Sequence, residues 1–307
     1  MTPKPSATPL LQVRNLCKTY GGGSGLFTRS RAEVKAIDNI SFDIQPGQIL
    51  GLVGESGSGK STTGRMVLRL EDPTSGTIAF EGNRIEALPQ AEMKPYRKDM
   101  QVVFQDPYAA LNPRMRVGDF VAEPLIIHGL VRGRAEAQDR VAALFEQVGL
   151  DPRFARRYPH EFSGGQRQRI NIARAIGVNP KLIVADEPIT ALDVSIQAQI
   201  VNLFKDLQQE LGLAYLFVAH DLSMVRFLCH HVAVMLRGRI VETAPTEVLF
   251  ADARHPYTQA LLSAIPIPDP KLERRRRRIE FDYDSAPHGP SYEMEEVSPG
   301  HLVMRHR

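Results

Sequence analysis

The chain contains no tryptophan and only two cysteines, Cys17 and Cys229, among 307 residues. Two thiols cannot build a disulfide framework or a four-cysteine metal or cluster site, and so sparse a use of cysteine fits a reducing compartment. Long apolar runs are also missing. Stretches such as Ile49 to Val53 and Leu213 to Ala219 fall far short of the ~20 residues that a membrane helix needs, so membrane association is expected to come through a partner. Nor is there an excess of one charge: 38 Lys and Arg against 35 Asp and Glu leave +3, which excludes a chain whose main business is coating nucleic acid. The opening MTPKPSATPLLQVRNL has no apolar core behind a basic flank and does not read as a secretory signal.

What is present, 43% hydrophobic and 24% charged residues, suits one large or two smaller globular domains. Short apolar runs alternate with helical patterns, which predicts an α/β fold with a largely parallel central sheet. Strands are expected at Leu10 to Leu16, Ile49 to Val53, Met100 to Phe104, Leu182 to Ala185, Ala214 to Ala219 and His231 to Met235. Val141, Leu144, Phe145 and Val148 fall at i, i+3, i+4 and i+7, one face of an amphipathic helix. No strand run interrupts about Pro107 to His160, so a helical subdomain is expected there, inserted between two halves of the sheet domain. Gly21 to Arg31 reads as an exposed loop. After about Ala264 come IPIPDP, the basic run Arg274 to Arg278 and an acidic stretch with little periodicity. This reads as a solvated linker and a weakly ordered tail, removable from Lys271 onward without loss of nucleotide binding.

Gly54, Glu55, Ser56, Gly57, Ser58, Gly59, Lys60 and Ser61 read GESGSGKS, followed by Thr62. The run follows an apolar strand and precedes a helical pattern with Met66, Val67 and Leu70, the context a phosphate loop requires. Glycines let successive N–H groups and the helix N-terminus point at phosphate. Lys60 adds a point charge and Ser61 a hydroxyl for Mg2+. The run LIVAD ends in Asp186, with Glu187 next; Asp186 suits the Mg2+ hydration shell and Glu187 the attacking water. Ser163, Gly164, Gly165 and Gln166 read SGGQ and open a helical pattern through Ile170, Ala173 and Ile176. Taken alone, that is a helix N-cap. Cys229, His230 and His231 are adjacent, so their side chains diverge and suit no shared metal.

The order of phosphate loop, Gln105, SGGQ, Asp186-Glu187 and His220 resembles that of the ATP-binding cassette (ABC) ATPases over about residues 10 to 265. The resemblance implies a P-loop fold with a mainly parallel central sheet, an antiparallel β subdomain and an inserted α-helical subdomain. It implies ATP and Mg2+ as ligands. Tyr20 would stack on adenine, Gln105 would sense Mg2+ and the lytic water, Glu187 would act as base and His220 would touch the γ-phosphate. SGGQ would complete the site of a second cassette, with Ala191, Leu192 and Asp193 crossing to it.

QDPYAALNPRMRVGD (105–119), DVSIQAQI (193–200), HPYTQALLSAIPIPDP (255–270) and the closing EMEEVSPGHLV are similar to the ATP-binding subunits of dipeptide/oligopeptide importers. That subgroup implies two separate permease subunits, an extracytoplasmic substrate-binding protein and a second ATPase, with the chain peripheral on the cytoplasmic face of the cell membrane. Residues 266–307 would form the C-terminal extension typical of the subgroup. The cysteine-containing segment that relatives often carry after the PDP region is missing, so no iron–sulfur cluster is implied. The rival is a soluble cassette protein acting on nucleic acid or ribosomes. Such chains carry two cassettes or long coiled coils, and neither pattern is present; six acidic residues between Glu280 and Glu296 offset the basic run, and no nucleic-acid partner is expected. The solute is not legible, because specificity lies mainly in the binding protein and permeases.

Overall fold

The computed structural model describes residues 8–21, 33–190, 192–266, 273, 276–283 and 292–306. Most of the Gly21 to Arg31 loop, Ala191 and part of the Arg274 to Arg278 run lie outside the described residues. In chain order the elements are β1 (Leu11–Tyr20), β2 (Val34–Ile44), β3 (Ile49–Val53), α1 (Lys60–Val67), β4 (Ser75–Phe80), β5 (Asn83–Arg84), α2 (Lys94–Asp99), β6 (Met100–Val103), α3 (Val117–Ile127) and α4 (Arg134–Gln147). They continue with α5 (Gly164–Gly177), β7 (Leu182–Asp186), α6 (Val194–Leu211), β8 (Ala214–Ala219), α7 (Leu222–Leu228), β9 (His231–Leu236), β10 (Arg239–Pro245), α8 (Thr246–Ala251), α9 (Pro256–Ser263), β11 (Tyr292–Ser298) and β12 (His301–His306). Among the described residues no helix is long and apolar enough to cross a membrane.

The chain divides into two compact units, one taking in the described residues up to Gln45, Ile49–Glu86 and those from Ala219 on. In it, β2, β1, β4 and β5 form an antiparallel sheet in that order. Leu11, Val13 and Leu16 of β1, Ile37, Ile40 and Ile44 of β2, and Ile78 and Phe80 of β4 are all buried. Register shifts after Val13 and Leu16 let β1 continue to Tyr20, past its expected end, through the polar residues Asn15, Lys18 and Thr19. In the same unit β3 runs parallel to β9, with Leu50 opposite His231 and Val53 opposite Val234. Antiparallel pairs then add β10, β12 and β11.

The tail therefore departs from the expected weakly ordered form at residues 292–306. Tyr292 to Ser298 is mostly exposed, but the turn at Pro299 and Gly300 brings β12 onto β10, with Glu242 opposite Val303, and buries His301 and Val303. Arg276 corrects the solvated-linker reading at its own position. Its guanidinium, with the side chain only 9% exposed, pairs with Glu273 at 2.8 Å and donates to Ala264 O at 3.0 Å, where a cation favours the carboxyl end of α9.

The second unit comprises Pro46–Gln48 and Ala87–Val218. Its strands β6, β7 and β8 are parallel, Met100 opposite Leu182 and Leu182 opposite Ala214. All residues of β7 and β8 are buried, which is why they read as unbroken apolar runs. Ile200, Leu203, Phe204 and Leu207 of α6 are buried at helical spacing, and Phe204 meets the rings of Tyr215 and Phe217 edge-on at 5.5 and 5.8 Å. Residues 107–160 hold α3, α4 and the 3-10 turns Pro152–Arg156 and Pro159–Glu161, without a strand. Helix α5 joins them: Arg174 pairs with Glu123 of α3 at 2.8 Å, and Arg169 donates to Val148 O just past α4 at 2.5 Å.

Candidate active site

In the first unit, the fully buried β3 delivers the chain into a loop whose backbone is left-handed, with φ +151 at Gly54 and +106 at Gly59. A Cβ at Gly54 would lie 2.2 Å from Met235 O, and one at Gly59 would lie 2.5 Å from Ile37 Cδ1 and 2.8 Å from Ala36 O. The neighbouring strands press so close that only glycine fits either position. Thr63 N donates to Gly59 O at 2.9 Å, closing the loop into α1. No side chain caps α1 and its first turn carries no acid, so its N-terminal amides suit an anion. Lys60 is 4% exposed, and its ammonium donates to Gly54 O and Glu55 O at 2.8 Å each. Ser58 Oγ is buried with no hydrogen-bond partner among the described residues. An orphaned hydroxyl of this kind costs stability unless a ligand or water satisfies it.

Two other expected residues belong to this unit. Tyr20 presents a ring on a residue 41% exposed, with Lys18 Nζ 5.1 Å from its centroid and its hydroxyl bonded to Glu71. His220 follows β8 and is exposed; the next residue, Asp221, caps α7 by accepting from Ser223 N at 2.8 Å.

The second unit holds the carboxylates. Burial of β7 carries Asp186 to the strand's carboxyl end at 9% exposure. Glu187 then turns left-handed, with φ 47, a conformation costing about 1–2 kcal/mol for a residue with a side chain. Its backbone N–H holds the turn by donating to Val218 O at 3.0 Å. The Glu187 carboxylate accepts from Gln105 Nε2 at 3.0 Å and from Thr190 Oγ1 at 3.2 Å. Strand β6 ends just before Gln105, and its pairing with β7 spans the 82 positions separating Gln105 from Glu187. Thr190 carries no sequence signal; a lone threonine after DEPI shows its role only once the turn is folded.

SGGQ starts α5 as a capping box. Ser163 N donates to Gln166 Oε1 at 3.0 Å, and Gln166 N donates to Ser163 Oγ at 3.3 Å, the reciprocal pattern that fixes a helix start. Ser163 itself is exposed. A Cβ at Gly165 would sit 2.5 Å from Ile196 Cγ2, so α5 begins hard against α6. Asp193 is the exposed residue from which α6 starts. Of the adjacent Cys229, His230 and His231, His230 Nδ1 accepts from Ile49 N at 2.9 Å and His231 Nε2 lies 3.3 Å from Gly300 O.

The sequence matches the ABC transporter family over residues 37–190 and the oligopeptide/dipeptide transporter C-terminal region over residues 241–292. It is 54% identical over 281 residues to the oligopeptide transport ATP-binding protein OppF of Bacillus subtilis, covering 91% of this chain and 92% of that protein. It is 52% identical over 303 residues to the glutathione import ATP-binding protein GsiA of Salmonella paratyphi A, covering 97% of this chain but 48% of that protein. The chain thus spans about half the length of the glutathione relatives it matches. Among solved structures, the dimeric post-hydrolysis state of the ATP-binding cassette MJ0796 bound to ADP and Pi superposes with a TM-score of 0.67 at 31% identity, over 77% of this chain and 98% of that one. Part of the ABC transporter complex cbiONQ, cbiO1 from Clostridium perfringens, gives 0.69 at 27% identity, over 80% and 91%. With a phosphate-loop geometry that its own sequence predicts and relatives of this likeness, the chain belongs to the ABC transporter family, with the fold of its ATPase cassettes.

Proposed function

We propose that this chain is the ATP-hydrolysing subunit of an importer of di- or oligopeptides, glutathione or similar small solutes. It works with a second cassette, two separate permease subunits and an extracytoplasmic binding protein, from the cytoplasmic face of the cell membrane. The observation that carries ATP use is the cradle at Gly54 to Lys60: left-handed glycines, a buried ammonium and an orphaned Ser58 hydroxyl around an uncapped helix start. Loop amides and Lys60 hold the phosphates, and Tyr20 offers its ring to the base. Ser61 and Asp186 carry the hard oxygen donors that Mg2+ prefers; the ion, when bound, neutralises phosphate charge. Glu187 takes the proton of the attacking water, oriented by Gln105 and Thr190. His220 contacts the terminal phosphate, and the Ser163 helix start serves the nucleotide of the other cassette.

Membrane coupling is supported by the second unit. A groove of about 1330 Å³ is lined by residues that include Arg116, Asp119, Ile126, Arg134 and Arg153, a mixture of apolar and mostly basic side chains suited to a permease loop. The names of the relatives support the solute class. The test replaces the native subunit in its host with Lys60→Ala and follows uptake of labelled dipeptides, oligopeptides and glutathione. Uptake is expected to stop for at least one of them. Undiminished uptake of a broad panel, with no second ATPase able to substitute, refutes the importer reading.

A further inference from the structure

Glu55 is the second residue of the phosphate loop, and it is held from the far end of the chain. Its backbone N–H donates to the Tyr257 hydroxyl at 3.0 Å across 202 positions. Its carboxylate accepts a hydrogen bond from the Tyr283 hydroxyl across 228 positions. Tyr257, Phe281 and Tyr283 form a ring cluster, with Phe281 5.2 Å from both tyrosines in edge-on contact. Burial pushes the Tyr283 phenol up to about 12, with the Glu55 carboxylate adding to the shift, so the hydroxyl keeps its proton and remains a donor.

The cluster is itself anchored. Tyr257 is 1% exposed and its N–H donates to His255 Nδ1 at 3.1 Å. His255 N and Arg254 N both donate to the buried Glu242 carboxylate, at 3.1 and 2.7 Å. His301 of β12 closes the set at 2.7 Å from Glu242. A continuous line of contacts, buried from His301 to Tyr257, thus runs from the C-terminal hairpin to the loop. Arg237, in the β9–β10 turn, lies 5.9 Å from the Tyr283 ring centroid, and Gly238 N donates to Ser58 O at 2.9 Å, so the loop is gripped from that turn as well.

We propose that the docked C-terminal segment is a brace for the phosphate loop, in which Tyr257 and Tyr283 are positioning residues that set the affinity for ATP. Glycine-rich backbone loses more freedom on ordering than any other, and tethering residue 55 by its amide and by its side chain removes part of that cost before nucleotide arrives. The Tyr283 bond also keeps an anionic carboxylate turned toward the ring cluster at a loop that must accept phosphate. The inference rests on the reading of the loop as an ATP site.

The test is ATP affinity of the full chain, by titration with a fluorescent ATP analogue, alongside thermal melting. Tyr283→Phe keeps the ring and removes one hydrogen bond to a charged group; it is expected to raise the Kd about three- to tenfold with little change in melting. Tyr257→Phe is expected to act in the same direction. In a Glu55→Ala background, Tyr283→Phe should have no further effect, whereas Tyr257→Phe should still weaken binding, because the residue 55 amide remains. In the assembled transporter, Tyr283→Phe should raise KM for ATP and leave kcat within about twofold. Unchanged affinity in both single variants overturns the brace, as does a Tyr283→Phe loss that persists undiminished in the Glu55→Ala background. A wild-type chain that binds ATP no better than Lys60→Ala refutes the nucleotide site itself, a different outcome.

Discussion

Replacing His301 with alanine tests whether the C-terminal hairpin is a structural part of the first unit. His301 and Glu242 are 1% and 0% exposed in their side chains and 2.7 Å apart. Glu242 also accepts the amides of Arg254 and His255, so His301→Ala deletes one of three donors to a buried carboxylate. A hydrogen bond to a charged group contributes about 1.5–3 kcal/mol. At about 2–4 °C per kcal/mol for a folding unit of this size, a loss near 2 kcal/mol lowers the melting temperature by roughly 4–8 °C. A control lies on the same hairpin: Arg305 pairs with Glu295 at 2.9 Å, but both side chains are more than half exposed, and such a pair is worth about 0–1 kcal/mol. Arg305→Ala should therefore melt no more than about 4 °C below wild type, and less far below it than His301→Ala. Hydrogen exchange at Glu242 and Thr243, which pair with β12, should accelerate only in His301→Ala. Equal shifts in the two variants, or no shift in either, would show that the hairpin is not docked as described.

Glu187→Gln preserves a carbonyl oxygen for Gln105 and Thr190 but cannot take a proton. It should retain MgATP binding and slow turnover at least about 100-fold; wild-type turnover in the assembled complex would remove Glu187 from the mechanism. Ser163→Arg places a long cation at an exposed helix start, so it should spare ATP binding by its own loop and abolish turnover in a complex whose partner supplies the other phosphate loop. Retained turnover there argues against a shared site. Burial lowers the imidazole pKa of His230, His231 and His255, so between the folded values and the unfolded value near 6.5 the unfolded chain binds more protons. Their contribution to stability is then complete above pH ~6.5 and declines as pH falls below it. Melting at pH 7.5 and 5.5 should show that loss, and His231→Gln should reduce it; a steeper loss in the variant contradicts the assignment.

The strands that the sequence announces most clearly are those buried on both faces. Ile49 to Val53 and Ala214 to Ala219 are fully buried and coincide with their apolar runs, because no exposed face interrupts them. Strand β11 is the opposite case. Its sequence YEMEEVS places mostly exposed residues in a strand, and its order comes from pairing with β12, which in turn docks on β10 through His301 and Val303. Composition cannot reveal a strand whose stabilising partners are elsewhere in the chain. The same holds for Glu242: nothing in RIVETAP marks its carboxylate as buried, and only the fold brings donors from residues 254, 255 and 301 to it. Removal of the chain from Lys271, which looks harmless from the sequence, takes away Phe281, Tyr283 and His301 together.

At the site, legibility follows the range of the interactions. The phosphate-loop motif and the capping box at Ser163 are local in sequence, so spacing alone exposes them. The Gln105 to Glu187 contact spans 82 positions; the order of motifs shared with a known family singles out the two residues but not the bond between them. The contacts of Glu55 with Tyr257 and Tyr283 span 202 and 228 positions and belong to no motif of the loop. A backbone with left-handed φ at Gly54, Gly57 and Gly59 lies hard against Met235, Ala36 and Ile37, so its geometry depends on what is packed around it as well as on its own glycines. The loop motif is therefore legible from its own residues, while the brace proposed for it comes from rings of the C-terminal region that no spacing in the loop announces.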